Sequence, residues 1–370
     1  MRIKRAAAAL AIAPFAVAGL GWLFQRMGVK RDARRYPPQG LMLSRRGRYL
    51  HVLQQGSGQP AVVFEAGLAA SSLSWARVQP LVASFSSTSS YDRAGLGWSS
   101  PLGSHPTLAQ MLDDLHAVVM WAGGGEPVVL VGHSFGALLL LAYIQRFPEH
   151  VAGLVMAEPV SLSMWSQCTA AEQGRLEAGA ALSRRGAWLA EFGVVRAALV
   201  LLLHGGHRWS QRIGRRAAGP GTATLERLTG EVSKLPKELW PVIAAQWSRP
   251  QSFRAMAETL EALPTCAADA GHPVLPAELP VAILSAASAT DEELCERDGW
   301  LMGLVETEHL VLPQTGHWLH LEKPEEMTRA IQWCVERARM RTYPMSRGVA
   351  TRSERERMHV RARPGHWPRR

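Results

Sequence analysis

An α/β fold with a mostly parallel sheet and helices on both faces is what this 370-residue sequence predicts. Three observations carry the prediction: short continuous apolar runs recur, helical patterns alternate with them, and one long helical stretch interrupts the alternation. The runs lack polar alternation, as expected of strands buried on both faces. They are AVVF at 61–64, PVVLV at 127–131, VAGLVMA at 151–157, VAIL at 281–284 and EHLVL at 308–312. Upstream, residues 41–43 and 49–53 flank Arg46-Gly47 as a hairpin. Thr107 is an N-cap ahead of Leu108, Met111, Leu112, Leu115 and Val118 at helical spacing. Residues 137–147 are helical and stopped by Pro148, and Pro324 opens a last helix with Met327, Ile331 and Val335 on one face. From 160 to 272 the alternation gives way to helical, Trp-containing sequence, expected to be an inserted helical cap. Residues 36–159 and 273–342 are then the core. One segment fits poorly: FSSTSSY at 85–91 occupies the place of a core strand but is mostly serine, which implies a weak strand or a shifted register.

Composition and charge exclude several classes. Charged residues are 19% and hydrophobic ones 47%, which is not the balance of a disordered chain. The four cysteines, at 168, 266, 295 and 334, form no C-x-x-C pair, so neither a disulfide scaffold nor a zinc ribbon is expected. Cys168 and Cys266 are the pair available to an oxidising compartment; free buried thiols are the simpler expectation. The net charge of +10 belongs to the two ends. Residues 1–35 hold eight Lys/Arg against one Asp, and residues 341–370 nine Arg against two Glu, so residues 36–340 are net −4. With no basic face inside the folded part, no nucleic-acid partner is expected. Residues 343–370, rich in Arg and poor in large apolar residues, read as a disordered basic tail.

Residues 6–24 are uncharged and lie between basic clusters. As a helix they would be about 28 Å long, close to the ~30 Å hydrocarbon thickness. Trp22 stands where an interfacial anchor belongs. The reading is a single-pass membrane anchor within residues 1–35. Ala16-Val17-Ala18 offers a cleaved signal peptide, and a secreted or periplasmic protein, as the alternative; a buried helix is the third option. Basic residues flank the run on both sides, so its orientation is open.

Gly132-His133-Ser134-Phe135-Gly136 follows a strand and precedes a helix, the setting of a nucleophile elbow. Such a turn forces its central residue into strained backbone angles, so the flanking positions must be small. It lifts the Ser134 hydroxyl to the N-terminus of a helix, where negative charge is favoured. Serine needs a base. His317, in Gly316-His317-Trp318-Leu319-His320, lies between the last strand and the last helix, on the carboxyl side of the sheet with Ser134. His320 is its competitor, with packing as its other role. His133, His204, His207 and His309 read as structural, surface or cap residues.

These motifs, with Tyr91-Asp92-Arg93-Ala94-Gly95-Leu96-Gly97-Trp98-Ser99, make residues 40–340 resemble the α/β-hydrolase superfamily. The resemblance implies a mostly parallel sheet of the eight-stranded α/β-hydrolase type and a Ser-His-acid triad. The family places its acid after the seventh or the sixth strand. Glu158, a lone acid closing the apolar run 151–157, is favoured; Asp291 is the alternative, since Ala289 stands about where a seventh-strand acid would be. The backbone N–H groups of Phe135 and Leu68 are the implied oxyanion donors, although Ala66 replaces the family's usual His. Asp92 and Arg93 read as a structural corner. Serine at the elbow disfavours the chemistry of relatives that use Asp there, the haloalkane dehalogenases and epoxide hydrolases.

The expected function is a serine hydrolase, esterase- or lipase-like, acting on a small-molecule ester through an acyl-enzyme, with the apolar cap and the anchor pointing to a lipophilic substrate. It needs no cofactor and no metal. A lactonase, thioesterase, peptidase or cofactor-free haloperoxidase on the same triad is the alternative within enzymes. A non-catalytic, membrane-tethered binding protein is the alternative outside them. The oligomeric state is not encoded.

Overall fold

The computed structural model describes residues 2–103, 105–203 and 232–342. Eight strands form one sheet: β1 (Leu41–Arg45), β2 (Arg48–Gln55), β3 (Val62–Glu65), β4 (Thr88–Tyr91), β5 (Val128–His133), β6 (Val151–Ala157), β7 (Val281–Ala286) and β8 (Thr307–Leu312). Their order is β1-β2-β4-β3-β5-β6-β7-β8; β1 and β2 are antiparallel, and the other six run parallel. Helices α1 (Arg2–Arg35) and α2 (Gln79–Val82) come before the first long crossover helix, α3 (Leu108–Gly123), and α4 (Phe135–Arg146) follows β5. Strand residues alternate between the two faces of the sheet. Val63, Leu130, Met156 and Ile283 pack on one side, with α3 and α4. Val62, Phe64, Val129, Val131, Val155 and Leu284 pack on the other. Parallel strands put their carboxyl ends on one edge, so the loops after β3, β5, β6 and β8 converge there.

Local chemistry accounts for the elements. Thr107 caps α3 through a reciprocal capping box with Gln110. The Ser-rich strand corrects the expectation of weakness. β4 is fully buried and pairs with both β2 and β3. Its small side chains let α2 approach, and Gln79 accepts from Ser90 Oγ at 2.7 Å while donating to Leu53 O at 2.9 Å. Buried hydroxyls are tolerated once they are bonded.

Between β6 and β7 the described chain is helical: α5 (Leu162–Ser166), α6 (Ala170–Glu191), α7 (Val194–Leu203), α8 (Trp240–Trp247) and α9 (Pro250–Ala270). After β7 come α10 (Asp291–Leu301), α11 (Leu319–Glu322) and α12 (Pro324–Thr342). The four cysteines are unpaired. His204, His207 and the tail at 343–370 lie outside the described residues.

The N-terminal anchor is the main correction. The chain forms α1, but no helix among the described residues is long and apolar enough to cross a membrane. Instead the second half of α1 is docked on the inserted helices. Its inward face is the stripe Gly21, Gln25, Gly28, Asp32. A β-carbon at Gly28 would collide with Arg196 Nε, and one at Gly21 with Phe192 O. Arg196, 3% exposed, pairs with the equally buried Asp32 and donates from Nε to Gln25 Oε1 at 2.8 Å. Gln25 Nε2 in turn donates to Ser248 O at 2.8 Å. The apolar run 6–24 drew the membrane reading; the polar, small-residue stripe that overlaps its end and runs past it makes the contacts.

Candidate active site

Ser134 follows β5 and stands at the N-cap of α4 with φ 54° and ψ −119°. Positive φ in a residue with a β-carbon costs about 1–3 kcal/mol, and such strain gathers at functional sites. The surroundings hold it there. Ser134 N–H donates to Ala157 O at 3.0 Å. A β-carbon at Gly136 would lie 2.5 Å from Glu65 O, and one at Gly132 2.9 Å from Ala137 N, so both flanking positions need glycine. Phe135 opens α4, and its N–H therefore has no acceptor within the helix.

Glu158, at the end of β6, is the second strained residue, with φ 47°. Its N–H donates to Leu284 O at 2.8 Å. Its Oε1 accepts from Ala286 N–H at 2.6 Å and from Arg297 Nη1 at 3.0 Å. Arg297, 2% exposed on α10, also donates to Ser285 Oγ at 2.7 Å and Pro159 O at 2.8 Å. Asp291, by contrast, is exposed in the first turn of α10.

His317 lies in the loop after β8. His133 Nε2 is 2.8 Å from His317 O, and because a carbonyl only accepts, His133 carries its proton on Nε2. The two imidazole centroids are 4.9 Å apart. The residue preceding Ser134 thus fastens the histidine loop to the elbow. Glu322 braces the same loop by accepting from Gly316 N–H at 2.7 Å, and it binds Lys234 at 2.6 Å. His320 is buried among rings, 4.3 Å from His133 and 4.8 Å from Trp75 between centroids.

Arg93 proves to be more than a corner. Its guanidinium donates to the carbonyls of Ala66 at 2.5 Å, Gly67, and Leu68 at 2.7 Å, and to Glu65 Oε1 at 2.5 Å. Tyr91 OH donates to the other Glu65 oxygen. In a trans peptide the C=O of one residue and the N–H of the next point in opposite directions. With Gly67 O turned onto Arg93, the Leu68 N–H faces away from it. Burial raises the Glu65 carboxyl against the opposing pull of Arg93.

Burial also sets the histidines. It pushes His133 down to about 4 and His320 well below its ordinary value. His51 goes the other way: burial opposes its charge, but Asp92 raises it, and both ring nitrogens donate, Nδ1 to Asp92 at 2.9 Å and Nε2 to Gln39 O at 2.5 Å. For His133 and His320 the unfolded chain binds more protons than the folded one between their folded values and about 6.5. Stability therefore rises with pH through that window and is lost as pH falls through it. For His133 the interval is worth roughly 3 kcal/mol. The stability that His51 contributes fades only as pH rises through its raised pKa and is already full below about 6.5, so it does not vary across this window. The raised Glu65 carboxyl, which gains its proton as pH falls, offsets part of the loss. The urea midpoint is expected to drop between about pH 6.5 and about pH 4; a flat profile would show that the two rings are not held neutral.

Comparison with known proteins agrees with the fold. A family model described as alpha/beta hydrolase fold matches residues 60–188. A solved structure of a putative epoxide hydrolase from Pseudomonas aeruginosa superposes with a TM-score of 0.60 at 20% identity, over 82% of this chain and 97% of that one. The chain has the α/β-hydrolase fold. A thermophilic esterase from Thermogutta terrifontis superposes with a TM-score of 0.55 at 18% identity, over 81% and 99% of the two chains. An AB hydrolase superfamily protein from Gibberella zeae is 32% identical over 125 residues, which are 33% of this chain and 38% of that protein. The chain spans about two-fifths of the length of the curated relatives it matches, 38% to 42% for the first three. Within the α/β-hydrolase fold, Ser134 occupies the elbow after β5, Glu158 the end of β6 and His317 the loop after β8.

Proposed function

We propose that this protein is a serine hydrolase that cleaves a carboxylic ester through an acyl-enzyme on Ser134. The observation that carries the reading is the strained Ser134 at the head of α4, with the His317 loop tied to its neighbour His133. In this mechanism Ser134 Oγ attacks the ester carbonyl while His317 takes its proton. Glu158 orients and balances the imidazolium that forms. The N–H groups of Leu68 and Phe135 receive the oxyanion. The tetrahedral adduct expels the alcohol, which leaves with the proton from His317. Water, deprotonated by His317, then attacks the acyl group; the acyl–Oγ bond breaks, His317 returns the proton to Ser134 Oγ, and the carboxylic acid leaves. A serine at the elbow supports acyl transfer over alkyl transfer to a carboxylate, the chemistry disfavoured above.

A fluorophosphonate reagent tests this directly, since an activated serine displaces fluoride and becomes phosphonylated. The full chain is expected to be labelled, and Ser134→Ala to lose the label. A folded chain that resists labelling would favour the non-catalytic binding protein.

A further inference from the structure

Among the described residues, the inserted segment buries two guanidiniums, and only one of them has an ion-pair partner. Arg249, between α8 and α9, is 6% exposed, and Arg196 on α7 is 3% exposed. Arg196 is paired with Asp32. No acid among the described residues forms an ion pair with Arg249. Asp32 and Asp92 are near enough to act on its charge, but Asp32 is paired with Arg196, and Asp92 is committed to His51 Nδ1 and to the N–H groups of Ser72 and Trp98. The single hydrogen bond from the Arg249 side chain among the described residues is a long one, Nη1 to Gly97 O at 3.4 Å. A buried charge without a partner is costly enough that proteins rarely keep one.

Unused donors collect at the same place. Arg249 Nε, Gln246 Nε2 and Arg196 Nη2 are shielded from solvent and make no hydrogen bond among the described residues. They belong to one neighbourhood. Arg249 N–H donates to Gln246 O at 3.1 Å, and Ser248, between them, is linked through Gln25 to Arg196. This corner adjoins the candidate active site. Ser71, three residues beyond Leu68, donates to Gln246 Oε1 at 3.3 Å. Trp98 and Ile243 of α8 pack in one cluster with Leu321 and Trp318, and Trp318 follows His317.

We propose that Arg249, Gln246 and Arg196 form a subsite for a carboxylate, carried by the substrate on the side of the inserted helices. The substrate role rests on the hydrolase reading above; carboxylate binding does not. The deficit is one negative charge, which a carboxylate supplies. Its two oxygens suit donors arranged around a guanidinium fork. A halide would bring the charge but a single acceptor, and a phosphate dianion would bring one charge too many.

The test is calorimetric titration of the full chain with sodium acetate and sodium butyrate in chloride-free buffer, with sodium chloride as control. Carboxylate binding is expected in the wild type and in Ser134→Ala. It should weaken by roughly tenfold or more in Arg249→Gln and in Gln246→Leu, since each removes a hydrogen bond to a charged group. The second variant answers the question if the first does not fold. No heat with either carboxylate, equal binding of chloride, or unchanged binding in a folded variant would each overturn the subsite. A chain that binds carboxylate but resists fluorophosphonate labelling would keep the subsite and lose the hydrolase reading.

Discussion

Glu158→Gln is expected to lower kcat toward a p-nitrophenyl ester by about 10³-fold or more, with Asp291→Asn within about twofold of wild type. The reason is electrostatic. On the proposed mechanism His317 becomes a cation when it takes the serine proton, and a carboxylate balances it. Glu158 closes β6, the strand beside the one that leads into Ser134; Leu284 O holds its strained backbone and Ala286 N–H its carboxylate. Asp291 is exposed on a helix start. Glutamine keeps an oxygen for Ala286 N–H and Arg297 but leaves the buried Arg297 charge without a partner, so stability falls too and the loss of turnover is read on protein shown to be folded. Arg297→Met is the contrasting variant. It leaves a buried carboxylate unpaired, and breaking such a pair typically costs about 3–5 kcal/mol, so it should appear first in thermal stability. Full activity in Glu158→Gln with a dead Asp291→Asn would transfer the acid's role to the seventh strand.

Arg93→Met is expected to lower kcat by about 10²-fold or more while KM stays within about threefold, the pattern of an interaction made only in the transition state. Arg93 would touch no substrate. It is a positioning residue that grips the carbonyls of Ala66, Gly67 and Leu68 from behind, so that Leu68 N–H is turned outward before substrate arrives. Removing it also strands Glu65, whose raised carboxyl can then accept a proton. The double variant Arg93→Met with Glu65→Gln separates the effects. If it regains stability but stays slow, Arg93 orients the donor loop; if activity returns with stability, Arg93 only balances charge.

Much of this arrangement was readable before any coordinates. Apolar runs without alternation mark strands buried on both faces, and the small residues around Ser134 mark the turn, because both follow from local sterics. The order of Ser134, Glu158 and His317 along the chain is likewise a local reading, since each closes or follows a recognisable run. What escaped depends on contacts between distant segments. Arg93 looks like any corner arginine until the carbonyls 25 to 27 residues away are seen to point at it. Arg297, 139 residues from Glu158, has no motif at all. The serines of β4 argued against a central strand because their partner, Gln79, sits on another element. The start of the chain misled for a related reason: hydropathy reports the apolar side of a helix, while Gly21, Gln25, Gly28 and Asp32 on its other side make the contacts.

The docking of α1 ties the far N-terminus to the selectivity of the inserted helices. Asp32 is the acid that neutralises Arg196, and Gln25 bridges that pair to the backbone next to Arg249. A protein trimmed of its first 35 residues would leave both guanidiniums uncompensated. What is in the intact chain a corner short of a single anion would become an indiscriminate anion sink, answering to the composition of the buffer rather than to the shape of a substrate.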